Sequence, residues 1–205
     1  QNDGVQALRQ PGSALKPFIY GLALERGMTP ATVIEDLEVH FPTPVGDFSP
    51  RNYSKQFHGP VRLREALANS LNVPAVRVTS KLGPDGVLER LREFGFDSLD
   101  ADAEHYGVGL ALGDGEVSLY ELTRAYMFLA RGGIPIQTKD IISTKAFTTK
   151  ARRHEDRKNT SQPPFFKEGL SGSPPLAKGG KGGFWKTSST ISTPEAVYLI
   201  TDILK

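Results

Sequence analysis

From Pro11 to Gly133 apolar side chains recur at three- and four-residue intervals between prolines and glycines, the pattern of a series of packed helices. Ser13 to Arg26 opens with Pro17 in its first turn, carries Leu15, Phe18, Ile19, Leu22 and Ala23 at helical spacing, and stops at Gly27. Pro60 starts a second helix, with Val61, Leu63, Ala66 and Leu67 on its buried side. Pro74 disfavours helical backbone at Val73, so this helix ends near Asn72 and Pro74 opens a third, running toward Leu82. Ser70 to Val73 is then a corner between two helices. A fourth helix follows Pro84, with Val87, Leu88, Leu91 and Phe94 inward and Gly95 as its stop. A fifth, about Glu116 to Arg131, buries Leu119, Leu122, Tyr126 and Leu129 and ends at Gly132 and Gly133. The stretch Val39 to Tyr53, rich in proline and aromatic residues, reads as a long ordered loop or a weak hairpin.

Beyond about Lys139 this punctuation fails. Pro163, Pro164, Lys167, Gly169 and Gly172 recur eleven residues later as Pro174, Pro175, Lys178, Gly180 and Gly183, with too few apolar positions to stack as a solenoid. Residues 139–191 therefore read as a low-complexity, disordered insertion between a folded part, 1–138, and a resumed helix in 192–205. That helix starts at Ser192-Thr193-Pro194-Glu195 and turns Val197, Leu199, Ile200, Ile203 and Leu204 to the core.

Charge divides the chain at the same place. The net +2 conceals 13 basic and 17 acidic side chains in residues 1–138, against 11 and 4 in residues 139–186. The basic stretch lacks an amphipathic period and spaced aromatic residues, so neither nucleic acid nor an anionic lipid surface is expected as a partner. With 205 residues and 38% apolar side chains the chain can bury a core, and no apolar run approaches a membrane span. It contains no cysteine, which excludes disulfides, thiolate metal sites and a cysteine nucleophile. It begins at Gln1 without a leader-like segment and reads as internal to something longer.

Ser13-Ala14-Leu15-Lys16 carries a mechanism. Serine and lysine three apart at a helix start share a face, so the amine can reach the hydroxyl. A lysine whose pKa is lowered by burial can take the hydroxyl proton, and the helix N-terminus favours the negative charge that develops. A capping serine beside a surface lysine would look the same. Ser70-Leu71-Asn72 sits on the inter-helix corner, where a hydroxyl can relay a proton and an amide can grip a peptide carbonyl.

These motifs lie in stretches that resemble a known family. Arg9-Gln10-Pro11-Gly12-Ser13-Ala14-Leu15-Lys16-Pro17-Phe18 with Tyr20, Phe48-Ser49-Pro50-Arg51-Asn52-Tyr53, Gly59-Pro60-Val61 through Ser70-Leu71-Asn72-Val73-Pro74-Ala75-Val76, and Tyr106-Gly107-Val108-Gly109-Leu110 onward to Gly133 resemble the transpeptidase domain of class A penicillin-binding proteins, most nearly the 1C-type. The resemblance covers residues 1–136 and resumes at about 192–205.

It implies an α/β fold, the penicillin-binding protein and β-lactamase-like transpeptidase fold, present here incompletely: mainly its helical part, with sheet strands missing at both ends. Ser13 would be the acylated nucleophile, Lys16 its proton acceptor, Ser70 the shuttle to the leaving D-Ala, and Asn72 the group that holds the substrate backbone. The partners implied are the D-Ala-D-Ala stem peptide of peptidoglycan and β-lactam antibiotics, with no metal and no cofactor. The location implied is the extracytoplasmic side of the bacterial inner membrane, reached through an upstream anchor not present in this chain. The family's third motif, Lys-Thr-Gly, does not occur in the sequence. Lys186-Thr187-Ser188 resembles it but precedes the helix it should follow. The alternative to a serine D,D-transpeptidase fragment is accordingly a catalytically inactive remnant with at most weak peptide or penicillin binding.

The remaining candidates are bland. His40, His58, His105 and His154 are scattered without metal-ligand spacing and read as surface or core histidines. Asp97, Asp100, Asp102 and Glu104 form a solvated acidic loop, and Asp114 is a turn and helix-cap residue.

Overall fold

A computed structural model describes residues 3–43, 46–135 and 191–205. All belong to the first of two units into which the chain divides, Gln1–Gln137 with Ser188–Lys205, the second being Thr138–Thr187. The period-eleven repeat, Lys186-Thr187-Ser188 and the proposed insertion up to residue 190 lie outside the described residues.

The core is built around α1, Lys16–Glu25, which follows a single 3-10 turn, Gly12–Leu15. Every residue from Lys16 to Ala23 is buried, so this helix is not amphipathic but surrounded. The Phe18 ring meets Phe94, Phe96 and Tyr126 edge-on at centroid distances of 4.9, 5.3 and 5.2 Å. Strands β1, Val33–Asp36, and β2 and β3, Phe41–Thr43 and Gly46–Phe48, come next, and β2 and β3 form the weak hairpin expected there. Strand β4, Gly59–Arg62, pairs antiparallel with β1, placing Asp36 opposite Gly59. Helices α2, Leu63–Ala68, α3, Asn72–Leu82, and α4, Pro84–Glu93, follow. A short α5, Ala103–Tyr106, runs into a 3-10 segment, Gly107–Leu112, and α6, Leu119–Ala130, precedes the returning α7, Pro194–Ile203. Helix α1 packs against α3, α4 and α7.

Four sequence expectations are corrected. Pro60 does not start a helix: it lies in β4, on a pair where its missing N–H is not needed, and α2 begins only at Leu63. Helix α3 starts at Asn72 rather than Pro74, so Val73 is helical; Asn52 Oδ1 accepts from the Asn72 and Val73 N–H groups and stabilises that turn. Leu119 is 54% exposed and Leu122 and Tyr126 are half-buried, and α6 buries Glu121, Ala125 and Phe128 beside the expected Leu129. Its rotation is set by a capping box in which Ser118 and Glu121 bond reciprocally while Glu121 also accepts from the Ser98 N–H at 2.7 Å. Leu204 falls past the last turn of α7 and is half exposed, and Ala196 is buried in company with Val197, Ile200 and Ile203.

The acidic stretch is partly structured as well: Asp102 caps α5 by accepting from the His105 N–H at 2.9 Å, and Asp97 pairs with Arg124 at 3.0 Å. Asp114 occupies a turn whose N–H donates to Gly109 O, but the cap of α6 is Ser118. No helix among the described residues is long and apolar enough to cross a membrane.

Candidate active site

The turn that carries Ser13 is held from three sides. Arg9 and Val117 exchange backbone hydrogen bonds at 3.0 and 2.9 Å, anchoring the approach to the turn. Gly113, at φ +84°, lies so close to Gly12 that a Cβ on it would collide with the Gly12 backbone. From α6 the Tyr126 hydroxyl donates to Ala14 O at 3.0 Å. Between these contacts Ser13 is exposed.

One turn later the chain direction carries Lys16 inward. Its residue surface is 1% exposed, so it is no surface lysine. Its Nζ donates to Ser70 O at 2.6 Å, to Asn72 Oδ1 at 2.8 Å and to Ser70 Oγ at 3.2 Å. An ammonium has three N–H donors, and all three are used on the corner. Burial lowers the amine's pKa from 10.5 to about 8. The structure thus brings Lys16, Ser70 and Asn72 together, while Ser13, an exposed residue, precedes Lys16 by one turn.

The corner is a helix-ending motif. The Ser70 N–H bonds Leu67 O and the Leu71 N–H bonds Ala66 O, both at 2.9 Å, with Ser70 left-handed at φ +53°. This is the Schellman arrangement, in which glycine ordinarily takes the left-handed position. The same pair of bonds closes α1, α4 and α6 at Gly27, Gly95 and Gly132, so α2 alone among these four uses a residue with a side chain there. The conformation aims the Ser70 carbonyl and hydroxyl at the amine.

Three residues at the site carried no motif signal. Asp36, at the end of β1, has no exposed surface; it accepts from Asn52 Nδ2 at 2.8 Å and from the His58 N–H at 2.9 Å. Asn52 lies in the stretch Phe48 to Tyr53, where the sequence assigns it no role, and His58 has no metal-ligand spacing. The one available signal was a lone asparagine after Pro50 in an aromatic-rich loop. Beside the corner opens a cleft of about 500 Å³ whose walls include Asn52, Tyr53, His58, Glu65 and Ser70. Among the described residues, no three His, Asp or Glu side chains gather closely enough to hold a metal ion.

A serine one turn before a buried lysine that bonds a serine–asparagine corner agrees with the comparison by sequence: the family model described as penicillin binding protein transpeptidase domain matches residues 1–170. The chain belongs to this family. Its curated relatives are class A penicillin-binding proteins. Penicillin-binding protein 1C of Escherichia coli K12 is 39% identical over 132 residues, which is 64% of this chain and 17% of that protein. Penicillin-binding protein 1A of Neisseria meningitidis is 36% identical over 140 residues, 67% of this chain and again 17% of the relative. The chain therefore spans about one-sixth of the length of these relatives.

Among solved structures, penicillin-binding protein 1A from Haemophilus influenzae matches at TM-score 0.61 and 35% identity, covering 67% of this chain and 20% of that one. PonA1 from Mycobacterium tuberculosis in complex with penicillin V matches at TM-score 0.57 and 28% identity, covering 66% and 38%. The fold is that of penicillin-binding transpeptidase domains, represented among the described residues mainly by its helices, with β1–β4 in two two-stranded sheets. The family match continues to residue 170, some thirty residues past the boundary drawn at 138, whereas the curated alignments span 132 to 140 residues.

Proposed function

We propose that this chain carries the acylation half-site of a serine D,D-transpeptidase acting on peptidoglycan stem peptides at the extracytoplasmic face of the bacterial envelope. The observation that carries this reading is the buried Lys16 amine, bonded to Ser70 and Asn72 one turn from the exposed Ser13. The Ser13 hydroxyl attacks the carbonyl between the two terminal D-Ala residues, and its proton passes to the neutral amine of Lys16. The tetrahedral intermediate collapses as the C–N bond breaks, and the departing D-Ala amine receives a proton through Ser70 Oγ. Asn72 holds the peptide backbone, and the Ser13 backbone N–H faces the oxyanion. An amine of a second stem peptide then displaces Ser13 from the acyl-enzyme, which forms the cross-link and returns the proton to the serine. A β-lactam opens on the same serine, in keeping with the penicillin V complex of PonA1.

In a second reading the chain binds peptide or penicillin at most weakly and does not react. Fluorescent penicillin separates the two: the expected outcome is a covalent label on the 205-residue chain that Ser13→Ala abolishes. Reversible binding without a covalent band would establish the second reading instead.

A further inference from the structure

A carboxylate with no exposed surface persists only where donors surround it, and those around Asp36 do a second job. Asn52 Nδ2 lies 2.8 Å from both Asp36 oxygens, the His58 N–H donates at 2.9 Å, and His58 Nδ1 lies 2.7 Å from Oδ2. The other end of the same amide, Asn52 Oδ1, accepts from the Asn72 N–H at 2.9 Å and the Val73 N–H at 3.2 Å. Asn52 can therefore face only one way, NH₂ toward the carboxylate and oxygen toward the first N–H groups of α3. Asn72, seated by that bond, donates Nδ2 to Arg51 O at 2.9 Å and offers Oδ1 to Lys16 at 2.8 Å. An unbroken chain of hydrogen bonds thus runs from Asp36 through Asn52 and Asn72 to the lysine amine.

We propose that Asn52, oriented by the buried Asp36, is a positioning residue that sets the Ser70–Asn72 corner against the Lys16 amine. What the corner does chemically rests on the acyl-transfer reading; the positioning itself does not. The geometry points to a donor–acceptor relay rather than a filler: replacing Asn52 by a residue of similar volume but reversed hydrogen bonding breaks it, and reversing Asp36 as well restores part of it.

The test uses the full 205-residue chain and fluorescent penicillin, with the non-covalent binding constant separated from the acylation rate constant. For Asn52→Ala the acylation rate constant is expected to fall about 10- to 100-fold with the binding constant little changed, because the reacting groups are misplaced rather than removed. Asn52→Asp sets a second carboxylate against Asp36 and is expected to lose more. The Asp36→Asn/Asn52→Asp double variant restores a donor–acceptor pair between positions 36 and 52 but leaves the Gln56 carbonyl, which accepts from Asn52 Nδ2 at 2.9 Å, without its donor, so it is expected to recover part of the rate lost in Asn52→Asp. Parental acylation by a folded Asn52→Ala chain overturns the proposal. So does a double variant that acylates no better than Asn52→Asp, or one that regains the parental melting temperature without regaining acylation. If Asn52→Ala does not fold, the double variant decides by the same criterion. If the parent itself takes no label, the acyl-transfer reading falls and amide hydrogen exchange decides the positioning. Selective loss of protection at Asn72 and Val73 in Asn52→Ala supports it, and unchanged protection overturns it.

Discussion

An amine removed from water loses the hydration that favours its charged form, and for Lys16 burial is the cause that brings the pKa down to about 8. The neutral, proton-accepting amine is then the majority species only above that value. Acylation of Ser13 by fluorescent penicillin is expected to accelerate with pH and level off above about 8; a profile flat from about pH 6 to about pH 10 would show that Lys16 is not the acceptor. The same shift enters stability. From about pH 8 to 10.5 the unfolded chain holds a proton that the folded one has shed, so the Lys16 contribution to stability grows with pH across this window and is lost as pH falls through about 8. Ser13, Lys16, Ser70 and Asn72 stand out in the sequence as candidates because each motif is local, four residues or fewer from end to end. Asp36 and Asn52 were not, because their pairing joins residues sixteen apart whose proximity depends on how β1 and the following loop fold.

Helix ends explain the placement of the corner. A non-glycine residue in left-handed backbone costs about 1 kcal/mol, and at the end of α2 that cost falls on Ser70. Ser70→Gly is therefore expected to raise the melting temperature by about 2–4 °C, while slowing acylation about 100-fold through loss of the hydroxyl. A variant neither more stable nor slower would remove the case for a serine kept there against strain. The helices themselves were readable from their apolar spacing and their glycine stops at Gly27, Gly95 and Gly132. Pro60 misled because proline opens a helix or caps an edge strand equally well, and only its partner on β1, Glu35, twenty-five residues upstream, chooses between them. Leu119 misled for a related reason: a buried Glu121 bonded to Ser98 and Ser118 turns α6 away from the purely apolar face.

For the molecule as a whole, the decisive contact is where the chain returns. The Ile191 N–H donates to Gly133 O at 3.0 Å, the Thr193 N–H donates to Glu25 Oε1 at 3.0 Å, and Arg90 bonds both Glu25 and Ile191 O. The chain thus leaves and rejoins this unit at neighbouring points. Reading residues 139–191 as an insertion predicts that replacing residues 136–190 by about four Gly and Ser residues, enough to span roughly 13 Å, preserves folding and penicillin labelling. Shortening the closed loop is expected to add about 2 kcal/mol to stability, seen as a higher melting temperature. A deletion variant that fails to fold would show that the family match through residue 170 reflects structure the core requires.

The sequence by itself determined the helical framework, the two candidate motifs and the family, all of which are written in short-range spacing and residue type. Only the tertiary structure decided that Lys16 is buried, that its three donors meet the Ser70–Asn72 corner, and that Asp36 and Asn52 hold this corner in place. Burial and hydrogen-bond partners are properties of residues brought together from different elements, and the pKa of the amine follows from them. Spacing along the chain specifies which groups can act, and packing specifies the electrostatics under which they do.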